Sequence, residues 1–165
     1  VVNDTCESSV PGVYAVGDVN GGPQFTYVSL DDFRIVFGAL TGNSQYTLKD
    51  RKNIPYTTFL TPPLSRVGLT EEDAINQGYT VKTKEMLVAT MPRAHVNDYL
   101  KGAFKIVVDA DNDLILGATL YSQGAEELIN LIKIAMDNNI PYTYFKNQIF
   151  THPTMAENLN DLCNF

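Results

Sequence analysis

The chain has 165 residues, 44% of them hydrophobic, enough for one domain with a real core plus some further chain, but not for two complete nucleotide-binding domains. Its net charge of −7, from 12 basic and 19 acidic residues, argues against nucleic acid or an anionic membrane surface as partner. No apolar run approaches the roughly 18 residues that a membrane span requires, and two cysteines at opposite ends, Cys6 and Cys163, make no disulfide framework. A cytoplasmic location is therefore expected. The chain opens at Val1-Val2, inside what reads as an unfinished unit, so a piece of a longer protein is expected.

In chain order, Val13-Tyr14-Ala15-Val16 is a short apolar run between Pro11-Gly12 and Gly17, and predicts a buried strand. Gly21-Gly22-Pro23 marks a turn, with Pro23 suited to begin a helix. Phe25, Val28, Phe33, Val36, Phe37 and Leu40 then recur at roughly helical spacing up to Gly42, a natural stop. The polar stretch Ser44–Asn53 reads as a link between two regions, 1–50 and 51–165.

In the second region Tyr56–Leu60 is β-rich and Pro62-Pro63 is rigid. Thr70-Glu71-Glu72-Asp73 has capping-box spacing ahead of a short helix closed by Gly78. Tyr79–Met91 predicts a long strand. Phe104, Ile106 and Val108 alternate, as do Leu114, Leu116, Ala118 and Leu120, across the short Asp109–Asp113 link, which predicts an antiparallel hairpin. A helix follows over Ala125–Asp137. Its polar residues Glu126, Asn130, Lys133 and Asp137 occupy one narrow stripe, so the apolar surface is wider than one sheet face needs. A partner subunit or another domain should cover the second side.

Asp109, Asp111 and Asp113 imitate the start of a calcium loop, but Leu114 and Leu120 stand where the glycine and the bidentate Glu belong; hairpin-turn residues fit better. Two histidines and two distant cysteines give no zinc spacing, so no metal site is expected. Gly17-Asp18-Val19-Asn20-Gly21-Gly22 reads as a strand-to-helix turn near a polar ligand. His152 precedes Pro153, which fixes the following backbone, and Glu157 lies five residues on. The pair can serve as a general base with its carboxylate. Alternatively, Thr154 and Glu157 only form the cap of the last helix.

Three segments carry a family resemblance. Gly12–Val19 resembles the second flavin-contacting motif of the class I pyridine nucleotide-disulfide oxidoreductases; Thr61–Glu72 resembles the opening of their dimerisation domain; His152-Pro153-Thr154-Met155-Ala156-Glu157 is similar to their H-P-T-x-x-E motif. Gln24–Val36 and Glu157–Leu162 are most similar to the reactive-chlorine-resistance branch, which includes enzymes acting on hypothiocyanous acid and copper. Mercuric reductase and dihydrolipoamide dehydrogenase are further relatives. Mercuric reductases end on a vicinal cysteine pair, whereas only Cys163 stands near this end, which speaks against mercury.

The resemblance implies an α/β (α+β) interface domain, an antiparallel sheet of about five strands with flanking helices, over 51–165, preceded by a C-terminal remnant of an FAD-binding domain over 1–50. It implies an FAD-dependent NAD(P)H:disulfide-type oxidoreductase that is a homodimer, with Ala125–Asp137 near the twofold axis. Gly17, Asp18, Gln24, Phe25 and Thr26 would face the flavin: Asp18 at the ribityl chain, Thr26 at a helix start near the pyrimidine end. His152 would tend the proton of an interchange thiol in the other subunit, with Glu157 holding one tautomer. The bond before Pro153 would be cis. The substrate would be a small oxidised species: a disulfide, hypothiocyanous acid or a metal ion. The redox cysteines would lie upstream, so this piece alone is expected to be inactive, with neither FAD nor NAD(P)H bound. A stand-alone dimerisation or binding module, and a flavin oxidase or ferredoxin reductase on the same scaffold, are the rival readings.

Overall fold

Residues 1–165 are described by a computed structural model, in which the chain forms two units, Val1–Lys52 and Asn53–Phe165.

Alternation organises the larger unit. Five strands, β1 (Tyr56–Thr58), β2 (Leu64–Gly68), β3 (Val81–Leu87), β4 (Ala103–Asp109) and β5 (Ile115–Tyr121), form one sheet in the order β1-β2-β5-β4-β3. Every pairing is antiparallel, as expected. The β4–β5 hairpin aligns Phe104 with Leu120 and Ile106 with Ala118, and β2 adds Val67 opposite Ala118. All five are buried. The Asp109 carboxylate closes the hairpin by accepting the Asp111 N–H at 2.9 Å and the Asn112 amide at 2.8 Å. Those donors hold its carboxyl below the ordinary range. The acidic loop is thus an Asx turn folded on itself.

The helix α4 (Ala125–Asp137) lies where the wide apolar pattern puts it. Leu128, Ile129, Ile132, Ala135 and Met136 are buried in the core with the sheet residues. Leu131 and Ile134 form the second apolar stripe and remain exposed, Ile134 at 55%. Short helices complete the unit: α2 (Glu71–Asn76), α3 (Pro92–Val96), α5 (Tyr142–Asn147) and α6 (Leu159–Leu162). The α2 start carries the expected capping box, with Asp73 N–H donating to Thr70 Oγ1 at 3.0 Å and Thr70 N–H donating to Asp73 Oδ2 at 3.3 Å.

Two local expectations are corrected here. The strand expected through Met91 stops at Leu87; Val88–Thr90 turns as a 3₁₀ helix and Pro92 opens α3, a first-turn position where its missing N–H costs nothing. Strand β2 was not visible as alternation because Ser65 occupies a buried position; its hydroxyl is satisfied by Thr57 Oγ1 at 2.8 Å.

The smaller unit contains α1 (Thr26–Leu40). Helix formation begins three residues after Pro23, because Phe25 donates back to the Pro23 carbonyl at 3.0 Å and itself stays extended. The buried strand expected at Val13–Val16 does not form. Tyr14 makes one bridge, to Glu7, and Val13 and Val16 are exposed, since the segment meets a short reversed piece of chain rather than a sheet. One face of α1 buries Val28, Asp32 and Ile35. The opposite stripe, Leu30, Phe33, Phe37 and Leu40, is exposed.

Phe104 is fully buried at the sheet centre, so Phe104→Ala is expected to cost about 3–5 kcal/mol of stability in urea unfolding followed by circular dichroism. A cost below about 1 kcal/mol would contradict this account of the core.

Candidate functional site

The segment Thr151–Glu157 is held from three directions. Behind it, Leu159, Leu162 and Cys163 are buried in the core. The Asn160 amide donates to the carbonyls of Phe145 at 2.6 Å and Gln148 at 3.0 Å, tying α6 to the end of α5. The Arg93 guanidinium, from α3, donates to the Pro153 carbonyl at 3.4 Å. Neither Arg93 nor Asn160 stood out in the sequence, because each acts on backbone carbonyls and no side-chain pattern marks that.

Within the segment, Thr154 Oγ1 accepts the Glu157 N–H at 3.2 Å and donates to the Thr151 carbonyl at 2.8 Å. This is half of a capping box. The other half is absent because the Glu157 carboxylate turns away to His152, whose Nδ1 lies 2.8 Å from Oε2. The His152–Pro153 peptide is cis, as expected. The His152 side chain is 72% exposed while that of Glu157 is 16% exposed. An ionised carboxylate only accepts, so a neutral ring paired with it in this way carries its proton on Nδ1 and leaves the exposed Nε2 as its acceptor. Glu157 Oε1 is buried and has no partner within the chain.

Neither cysteine is poised as a nucleophile. Cys163 is buried, and burial pushes its thiol up to about 12. Burial first, and then the neighbouring Asp32 charge, raise that of Cys6. Both remain thiols at neutral pH.

In the smaller unit, Gly17–Asn20 form a 3₁₀ turn that leads into α1. Gly17 has φ +69°, and a Cβ there would sit 2.7 Å from Ser29 Oγ, so the turn presses on the helix and requires glycine. The Asp18 carboxylate is exposed. Gln24, Phe25 and Thr26 lie at the exposed start of α1, where first-turn N–H groups lack helical acceptors. An exposed acidic side chain beside an open helix N-terminus suits a hydroxylated, partly anionic group such as flavin, so these residues fit that cofactor. The turn is organised by Asp32, which sequence reasoning missed: Oδ2 accepts the Gly17 N–H at 2.7 Å and the Asn20 amide at 2.8 Å. In the Asp31-Asp32 pair on a helix, nothing in the sequence tells which carboxylate is buried.

An antiparallel five-stranded sheet with flanking helices is the architecture of a known dimerisation domain. The chain belongs to the pyridine nucleotide-disulphide oxidoreductases, whose dimerisation-domain model matches residues 54–163. It is 46% identical over 162 residues to an Escherichia coli (strain K12) protein described as "probable pyridine nucleotide-disulfide oxidoreductase RclA", covering 98% of this chain and 37% of that one. Mercuric reductase of Lysinibacillus sphaericus is 35% identical, covering 96% and 29%. The solved structure of the HOCl-induced flavoprotein disulfide reductase RclA from E. coli superposes with a TM-score of 0.95 at 46% identity, over 99% of this chain and 38% of that one. The chain thus spans 29% to 38% of the length of these relatives. No helix is long and apolar enough to cross a membrane.

Nitrogen NMR of the imidazole is expected to show neutral His152 as the Nδ1–H tautomer. Glu157→Ala should shift it towards Nε2–H. A wild-type ring already in the Nε2–H form would contradict the geometry described here.

Proposed function

We propose that this chain is the subunit-pairing and proton-handling part of an FAD-dependent NAD(P)H:disulfide-type oxidoreductase. The observation that carries the reading is the exposed imidazole whose Nδ1 is engaged by Glu157. Such a ring, free at Nε2 and turned out of its own subunit, is built to exchange a proton with a group on another surface. His152 would serve a redox cysteine of the partner subunit, taking the proton of the interchange thiol so that the reactive thiolate forms, and returning it later. Glu157 keeps the proton on Nδ1 and so keeps Nε2 available. The redox pair would belong to the remaining two thirds of the protein, since Cys6 and Cys163 are both buried thiols.

The smaller unit is read as the end of the FAD-binding domain, over 1–50, with 51–165 as the interface domain. The exposed stripe Leu30, Phe33, Phe37 and Leu40 supports this, because such a face ordinarily packs on further structure. Gly17, Asp18, Gln24, Phe25 and Thr26 would hold the flavin. When bound, the flavin would pass reducing equivalents from NAD(P)H to the redox disulfide. The chain by itself would be inactive and bind neither cofactor. The substrate would be a small oxidised species: a disulfide, hypothiocyanous acid or a metal ion.

In the full-length protein, His152→Ala is expected to lower turnover with the oxidised substrate by about a hundredfold or more, while stopped-flow reduction of the flavin by NAD(P)H survives. Equal loss in both half-reactions would exclude the role given to His152.

Homodimerisation would cover Leu131 and Ile134 on α4. The double variant Leu131→Glu/Ile134→Glu is expected to yield monomers in light scattering under conditions where the unaltered protein is dimeric. An unchanged mass would place the twofold contact elsewhere.

A further inference from the structure

The carboxylate of Asp32 is fully buried on the inner face of α1, and both of its oxygens are occupied. Oδ2 receives Gly17 N–H at 2.7 Å and Asn20 Nδ2 at 2.8 Å. Oδ1 receives Arg51 Nη2. Arg51 in turn donates through Nε to Asp31 at 2.7 Å, and Asp31 accepts the Tyr46 hydroxyl at 3.2 Å. One oxygen therefore grips both ends of a four-residue turn, and Asp18 lies between those ends. The far side of that turn has no slack, because Gly17 is already packed on Ser29, three residues before Asp32 on the same helix.

We propose that Asp32, with Arg51 as its counter-charge, is a positioning residue that fixes the Gly17–Asn20 turn so that Asp18 is presented to the flavin. This rests on the flavin-binding reading of the smaller unit. Asp32 is fully buried and shielded from solvent, so it does not touch the cofactor itself. It acts through the backbone of Gly17 and the side chain of Asn20. Arg51 compensates the buried charge and links the turn to the chain segment that follows Leu48–Asp50.

The test uses the full-length flavoprotein, stripped of cofactor and titrated with FAD by fluorescence, with amide hydrogen exchange on the stripped protein as a second readout. Asp32→Asn keeps the shape of the side chain but removes its charge and one acceptor. It is expected to weaken FAD binding by about tenfold and to speed exchange at Gly17–Asn20 by a similar factor. In an Asp18→Ala background the same substitution should change FAD affinity by less than about twofold, because both act through one contact. Should Asp32→Asn fail to fold, Asn20→Ala removes one donor and leaves the ion pair; it should loosen the same amides and weaken FAD by about threefold. Unchanged FAD affinity in these variants, beside a clear loss in Asp18→Ala, overturns the positioning role. So does an equal loss in both backgrounds. If Asp18→Ala itself leaves FAD affinity unaltered, the flavin reading of this unit falls, and the proposal with it.

Discussion

A carboxylate can accept hydrogen bonds but not donate them, and the functional reading of this chain depends on that asymmetry. Glu157 Oε2 lies 2.8 Å from His152 Nδ1, so in the neutral ring this contact favours the proton on the inner nitrogen and the lone pair on the outer one. Without Glu157 the ring could exchange tautomers and rotate, and an exposed histidine would be an unremarkable surface group. With it, the imidazole has one orientation and one free basic atom. The remainder of the larger unit can be understood as the means of holding that pair still: the sheet provides a rigid floor, the buried Leu159 and Leu162 anchor the last helix in it, Asn160 ties that helix to the Phe145 carbonyl, and Arg93 holds the loop by the Pro153 carbonyl.

The same economy explains why the Thr154–Glu157 spacing admits two uses. A capping box satisfies two backbone N–H groups reciprocally. Here Thr154 performs its half and Glu157 does not. The helix start gives up one local hydrogen bond, and the carboxylate is spent on the imidazole instead. The carboxylate is directed at a neighbouring side chain and not at its own helix start. Its other oxygen, Oε1, is buried without a hydrogen-bond partner, which costs stability.

Much of the larger unit was legible because its signals are local and repetitive. The β4–β5 hairpin follows from strict alternation across a short polar link, and α4 from an apolar surface too wide for a single partner. Strand β2 was hidden because Ser65 satisfies its hydroxyl through Thr57, a pairing across strands that no linear pattern reveals. The end of β3 was misjudged because apolar residues continue to Met91 while the backbone has already turned towards Pro92. In the smaller unit the reading failed at Val13–Val16 for the opposite reason. The sequence has the apolarity of a buried strand, but strand formation requires a neighbouring strand to supply hydrogen bonds, and these residues have only the Tyr14–Glu7 bridge. His152 and Glu157 were found through the motif they resemble. Spacing alone left the capping alternative open; in the structure the Glu157 carboxylate faces the imidazole while Thr154 still accepts the Glu157 N–H.

Asp32 illustrates a class of residue that sequence reasoning passes over, and its energetics say why the residue matters to geometry rather than to stability. Burying an aspartate beside an arginine is close to neutral in free energy, because desolvation of both charges offsets their attraction. Replacing such a pair with apolar side chains would fold as well. Apolar side chains, however, are non-directional, and they could not hold a backbone N–H and a side-chain amide at fixed distances from one point. The Gly17–Asn20 turn is short, faces solvent at Asp18, and has little apolar contact of its own beyond the buried Gly17. The two directed hydrogen bonds that Asp32 accepts, together with the Gly21 N–H bond to the Asp18 carbonyl at 3.3 Å, therefore define the turn and with it the position of Asp18.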